Sequence, residues 1–136
     1  MKLQLLIEKA AGKDVSGRIE NKGNFMPNTI AGSVKKVIDN IKELIIDYQE
    51  HGGNKDPFWK KVKVDDLDFD FVYDLQAFFM EHDYLNISSI ARLAGLNPGL
   101  VRQYASGVKH PSKAQAQKIA KTVKTLAKNL QRIELV

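Results

Sequence analysis

Arg102 and Gln103 are the neighbouring pair in this chain whose side chains have the sharpest chemical use. A guanidinium fork matches the two acceptors that guanine shows in the major groove, and a carboxamide matches the acceptor and donor of adenine. Both lie in the run Asn97-Pro98-Gly99-Leu100-Val101-Arg102-Gln103-Tyr104-Ala105-Ser106. At helical spacing Asn97, Gly99, Arg102, Gln103 and Ser106 take its outward side, so these five are expected at base edges. Ser88, Ser89, Lys109 and Lys113 fall at helix starts and in a corner loop, where phosphates are the nearer target.

Other chemistries find less support. His51, His82 and His110 stand in no HExxH pattern, and the chain has neither a GxSxG elbow nor a phosphate-binding glycine loop, so no catalytic residue is expected. The absence of cysteine removes disulfides, thiolate metal sites and cysteine nucleophiles, and suits a reducing cytoplasm. Asp66, Asp68 and Asp70 alternate along an extended stretch, which spreads their carboxylates. They also lack the glycine and terminal glutamate of a calcium loop, so no metal or cofactor is expected. A solvated acidic strand face accounts for them, and the same face would suit a basic protein partner.

Base-reading side chains need a helix held at a steep angle to its neighbour, and the preceding residues supply one. Ala91, Gly95 and Val101 have helix-turn-helix spacing: a small residue where two helices cross, a glycine for the positive φ of the turn, then a β-branched core residue. Ile90, Ala94, Leu96, Val101 and Tyr104 are expected between the helices, and Asn97-Pro98 is a start signal for a second helix from Pro98 to about Ser106. Ser106-Gly107 ends it. After His110-Pro111 comes a helix with Ile119, Val123, Leu126 and Leu130 on one face and Lys118, Lys121, Lys124 and Lys128 around the rest. An ordinary helical hairpin is the alternative, but the order of recognition helix, Gly/Pro corner and packing helix resembles the lambda-repressor-like group.

Charge divides along the same line. The total is +5, yet residues 84–136 carry +8 and residues 1–83 carry −3. A basic half that contains the motif favours double-stranded DNA as the partner. The polar Thr122, Thr125 and Asn129 and the lack of aromatic anchors argue against a membrane-surface helix. The start MKLQLLIEKAAGKD is too broken by polar residues for a signal peptide, and no run approaches a membrane span. A cytoplasmic location is expected.

The first half reads as a small antiparallel meander covered by one helix. Leu3, Leu5 and Ile7 alternate with polar residues, Val15 and Ile19 mark a second strand, and Phe25-Met26 a short third one before Pro27. Gly12 and Gly17 are expected to make its edges irregular. Ser33 caps a long amphipathic helix with Val34, Val37, Ile38, Ile41, Leu44, Ile45 and Tyr48 on one face, ended by His51-Gly52-Gly53. Gly52 to Lys63 is a connecting loop whose Phe58 and Trp59 dock on the core. Asp66 to Tyr73 is a strand with Leu67, Phe69, Phe71 and Tyr73 inward. Leu75, Phe78, Phe79 and His82 form the helix before the motif, and Ile133 and Leu135 could form a terminal strand.

This β-β-β-α-β unit followed by a helix-turn-helix resembles the HicB family of antitoxins. Gly32-Ser33 with VKKVIDNIKELI is similar to the HicB core, and LNPGLVRQYASG before Pro111-Ser112 is similar to the helix-turn-helix end of some members. Phe25-Met26-Pro27-Asn28 stands where a proline-aspartate-leucine-proline-glycine segment is common. The resemblance implies an α+β chain: a HicB-like sheet-and-helix domain over residues 1–73 and an all-α helix-turn-helix domain over residues 74–136. It implies an autorepressing homodimer on DNA and a small basic HicA-type toxin bound by the first domain, for which Asp66, Asp68 and Asp70 are the electrostatic match. An orphan regulator that has lost the toxin, or a protein-binding module with the helix-turn-helix as scaffold, would carry the same residues. Dimerisation is expected through the lysine-rich terminal helix or the Arg132–Val136 strand.

Overall fold

Leu3, Leu5 and Ile7 are buried and alternate with exposed or half-buried residues along β1 (Lys2–Lys9), and burying that one face fixes the register of everything beside it. The computed structural model describes residues 1–136, which fall into two compact units, 1–77 and 78–136. In the first, β2 (Val15–Arg18) and β3 (Asn28–Ala31) add antiparallel neighbours, with Ile7 opposite Gly17 and Ser16 opposite Ile30. The helix α1 (Val34–Glu50) then carries the chain to the far edge. There β4 (Asp68–Tyr73) pairs parallel to β1, with Leu3 opposite Phe69 and Leu5 opposite Phe71. The sheet order is β3-β2-β1-β4.

Three expectations change here. The sheet is mixed, not antiparallel, because a helical crossover returns the chain in the direction of β1, as parallel pairing requires. The third strand follows Pro27 instead of preceding it: Phe25 leaves the sheet and stacks on Tyr48 at 4.2 Å between ring centroids. The fourth strand starts at Asp68, because Val64–Asp66 is a 3-10 turn. Of its inward residues Leu67 and Phe69 are buried, whereas Phe71 is exposed. α1 lies over β2 and β3 and leaves the β4 end of the sheet less covered.

Ser33 caps α1 by accepting from the Lys36 amide at 3.1 Å, and Val37, Ile41 and Ile45 form its buried stripe. Gly17 is no edge irregularity. A methyl on its Cα would stand 2.3 Å from Val37 Cγ1, so α1 can sit this close only over a residue without a side chain.

The segment after α1 is built around one carboxylate. Asp56 is buried, and its oxygens accept from the Asn24 amide (2.8 Å), the Tyr48 hydroxyl (2.9 Å), the Phe58 amide (3.0 Å) and the Trp59 amide (3.3 Å). Trp59 docks on the core as expected; it is fully buried, and its indole N–H donates to the carbonyls of Lys22 and Phe25. The Asn24 amide above all, with the Tyr48 hydroxyl and the Trp59 and Phe58 amides, holds the Asp56 carboxyl below the ordinary carboxylate range against the opposing effect of burial. Nothing in the composition of the loop had singled out Asp56. The available signal was its place before Pro57 at the start of a short helical turn.

The helix α2 (Leu75–Glu81) spans the boundary between the units, which lies four residues beyond the expected division after Tyr73. Asp74 caps it through the Ala77 amide at 2.7 Å. The second unit continues with α3 (Ile87–Leu93), α4 (Pro98–Ser106) and α5 (Lys113–Gln131). Its core gathers Ile90, Ala91, Val101, Tyr104 and Ile119. The expected terminal strand is absent: after α5 the chain ends in irregular backbone with Ile133, Leu135 and Val136 exposed. The architecture is mixed α+β, and no helix is long and apolar enough to cross a membrane.

Candidate nucleic-acid interface

The α3–α4 corner is set by residues that each satisfy a local requirement. Asn86 caps α3 by accepting from Ser89 N, and Asn97 caps α4 by accepting from Gly99 N at 2.8 Å and Leu100 N at 3.3 Å. Gly95 takes φ +74° in the turn between them, a backbone state that a side chain would strain. Ala91 and Val101 are fully buried where the helices pack. Gly107 at φ +83° ends α4, and Ser112 caps α5 through the Gln115 amide. Tyr104 is tied to α5 by its hydroxyl, which bonds the Gln115 carboxamide oxygen.

With Val101 and Tyr104 inward, α4 turns Arg102 and Ser106 to solvent and leaves Gln103 half-buried. Arg102 does not hang free. Its guanidinium donates to Ser88 Oγ at 2.7 Å and lies back over Gly99, so an expected base reader and an expected phosphate contact meet in one hydrogen bond. Asn97 has its side-chain oxygen committed to the cap, which leaves its amide N–H groups for any outside partner. Ser106 bonds back to the Gln103 carbonyl at 3.2 Å. Ser88 and Ser89 are half-buried in the first turn of α3. Lys109 is exposed in the loop, and Lys113 is exposed at the first position of α5.

Lys121, Lys124 and Lys128 line an open groove of about 390 Å³ along α5, together with Gln117, Ala120 and Thr125. None of the α5 lysines is in a salt bridge. Positive charge is thus presented on this helix without internal compensation, which favours anions nearby.

In the first unit the three acidic residues do not share a face. Asp68 and Asp70 point outward from β4 beside Lys2 and Gln4 of β1, whereas Asp66 sits in the 3-10 turn before the strand. Asp70 pairs with Lys2 at 3.7 Å, both largely exposed, and Asp68 accepts from the Phe69 amide. The outer face of the sheet also holds a groove of about 460 Å³ lined by Lys2, Gln4, Leu6, Val72, Glu20, Asn21 and Lys22 among others. No group of acidic or histidine residues is arranged to hold a metal ion.

Comparison with family models, with curated proteins and with solved structures finds no match to this chain.

Proposed function

We propose that this protein is a sequence-specific DNA-binding regulator that acts as a homodimer, with repression as the consequence. The observation that carries this reading is α4: a short, doubly capped helix with Arg102 exposed and Gln103 at its margin, opposite the buried Val101 and Tyr104, within a segment of charge +8. One such helix touches few bases, so useful specificity takes two half-sites about 34 Å apart or a multiple of that distance. Selection of bound sequences from random double-stranded DNA tests it. An enriched motif with two-fold symmetry is the expected result; recovery of unenriched DNA would remove the reading.

The finer form of the proposal is a HicB-like antitoxin that represses its own synthesis and holds a small basic HicA-type toxin on the first unit. The element order β-β-β-α-β before the paired helices supports it, and so do Asp68 and Asp70 on the exposed edge strand. Asp66 is exposed too but stands in the turn before the strand, apart from that pair. A small basic reading frame beside the gene, whose product co-purifies with this chain, is the expected finding. An isolated gene would leave a stand-alone regulator; DNA-free protein that binds the neighbour would leave a protein-binding module. A cytoplasmic location accompanies any of these roles.

A further inference from the structure

Ile119, Val123, Leu126, Leu130 and Ile133 follow one another along α5 and its first residues beyond at spacings of 4, 3, 4 and 3. That is the heptad seam by which helices pack side by side, with Ile119 and Leu126 at d and Val123 and Leu130 at a, and Ile133 follows just past the helix end with its amide bonded back to the Leu130 carbonyl at 3.2 Å. The seam is used twice over. Its first part faces the second unit's own core: Ile119 is 1% exposed, and α5 packs on α3. Its last part leaves that core: Leu126 is half-buried, Leu130 is 64% exposed and Ile133 57%. Leu135 and Val136, just beyond, are exposed as well.

We infer that the end of this seam, Leu126 to Ile133, is the surface on which two copies of this chain dimerise. The charge pattern selects that occupant. Four of the five lysines of α5, Lys118, Lys121, Lys124 and Lys128, fall at the b, c and f positions, away from the seam, and the fifth, Lys113, lies at the start of the helix before the seam begins. Within α5 the e and g positions that flank the seam are Ala120, Thr122, Ala127 and Asn129, all uncharged. A dissimilar helix is ordinarily chosen by charges at e and g, and an acidic partner would need basic flanks. Neutral, small flanks choose neither. They let two identical lysine-rich helices approach with their charges turned outward, in a contact where each copy offers the same patch. The free seam spans about two turns, so the contact is a small one. It names the dimer surface for the DNA-binding reading above and rests on that reading for its use, not for its existence.

Sedimentation of the full chain without nucleic acid tests it over roughly 1 to 200 µM, the range in which a small interface associates. The wild type is expected to pass from monomer to dimer. Leu130→Asp and, separately, Ile133→Asp should raise the dissociation constant at least tenfold with the helical circular dichroism unchanged, since both side chains are exposed. Lys128→Asp, on the opposite side of the helix, should leave dimerisation intact or strengthen it. A wild type that stays monomeric throughout overturns the inference. So does a dimer that survives both seam variants, or one that Lys128→Asp dissolves. Because no DNA is present, a protein that dimerises through the seam yet enriches no sequence would fail the DNA reading alone.

Discussion

Arg102 can reach a base only by sharing or surrendering the Ser88 hydroxyl. On the DNA-binding reading the exchange favours the base, because a guanine offers the fork two parallel bonds in place of the single one to Ser88. Ser88 then acts as a rest for the guanidinium before contact. Gln103→Ala should cost about 1–3 kcal/mol on the selected sequence and little on random DNA, because the side chain carries no charge. Arg102→Ala should lose affinity on both, Arg102→Lys should not restore sequence preference without the fork, and Ser88→Ala should fall well short of either. Fluorescence titration of both DNAs with each variant measures these differences. Asp56 makes a second prediction of residue scale. Its carboxyl is held below the ordinary range, so it stabilises the fold above about pH 4 and that contribution is lost as acid drives the pH down through the lowered value. Asp56→Asn should lower the urea midpoint at pH 7 and lose less than wild type between pH 5 and pH 3. An unchanged acid limb would refute the role. The capping residues Ser33, Asn97 and Ser112 were legible because a cap is decided within four residues of chain. Asp56 was not, because two of its four partners, Asn24 and Tyr48, reach it only once the chain comes together in space, and only the Phe58 and Trp59 amides are local.

Elements follow the same division between local and distant causes. α1 and α4 could be read from periodicity and stop signals, and both end at or within a residue of where those signals stand. The third strand could not. Phe25-Met26 looked the more apolar candidate, but pairing of Arg18 with Asn28 decides the register, and Phe25 is drawn to Tyr48 and Trp59 while Met26 stays exposed. β4 showed its alternation in sequence yet gave no sign of its partner, since period two is the same for parallel and antiparallel ladders. The α1–β2 contact supplies a prediction for this scale. Gly17→Ala forces a methyl toward Val37 and should destabilise the first unit by about 1–3 kcal/mol. Combining it with Val37→Ala opens the space that the methyl needs, so the pair should be less destabilising than the two single costs added together. Urea unfolding of the four proteins gives the coupling; strict additivity would mean that the approach at Gly17 is not what limits the packing.

Across the whole molecule, charge and fold are sorted together: residues 1–83 carry −3 with the sheet, and residues 84–136 carry +8 with α3, α4 and α5. This much was legible before any coordinates, because net charge is additive along the chain. What composition could not disclose was that Arg102 is tethered while the α5 lysines are unpaired, a distinction with consequences for salt. Affinity for DNA should fall linearly in log K against log salt, with a slope of about 0.9 for each phosphate neutralised. Lys109→Ala and Lys113→Ala should each flatten that slope by about one unit and weaken all sequences alike, since both are exposed beside the α4 corner. Gln103→Ala should leave the slope unchanged while lowering the intercept on the selected sequence. Asp68→Asn with Asp70→Asn should alter neither quantity, because on this reading the first unit's outer face meets a protein and not the duplex. Titrations at four or more salt concentrations separate these cases. If Gln103→Ala and Lys113→Ala share one profile on selected and random DNA, α4 is not the recognition helix, and the lysine groove of α5 becomes the surface that meets DNA.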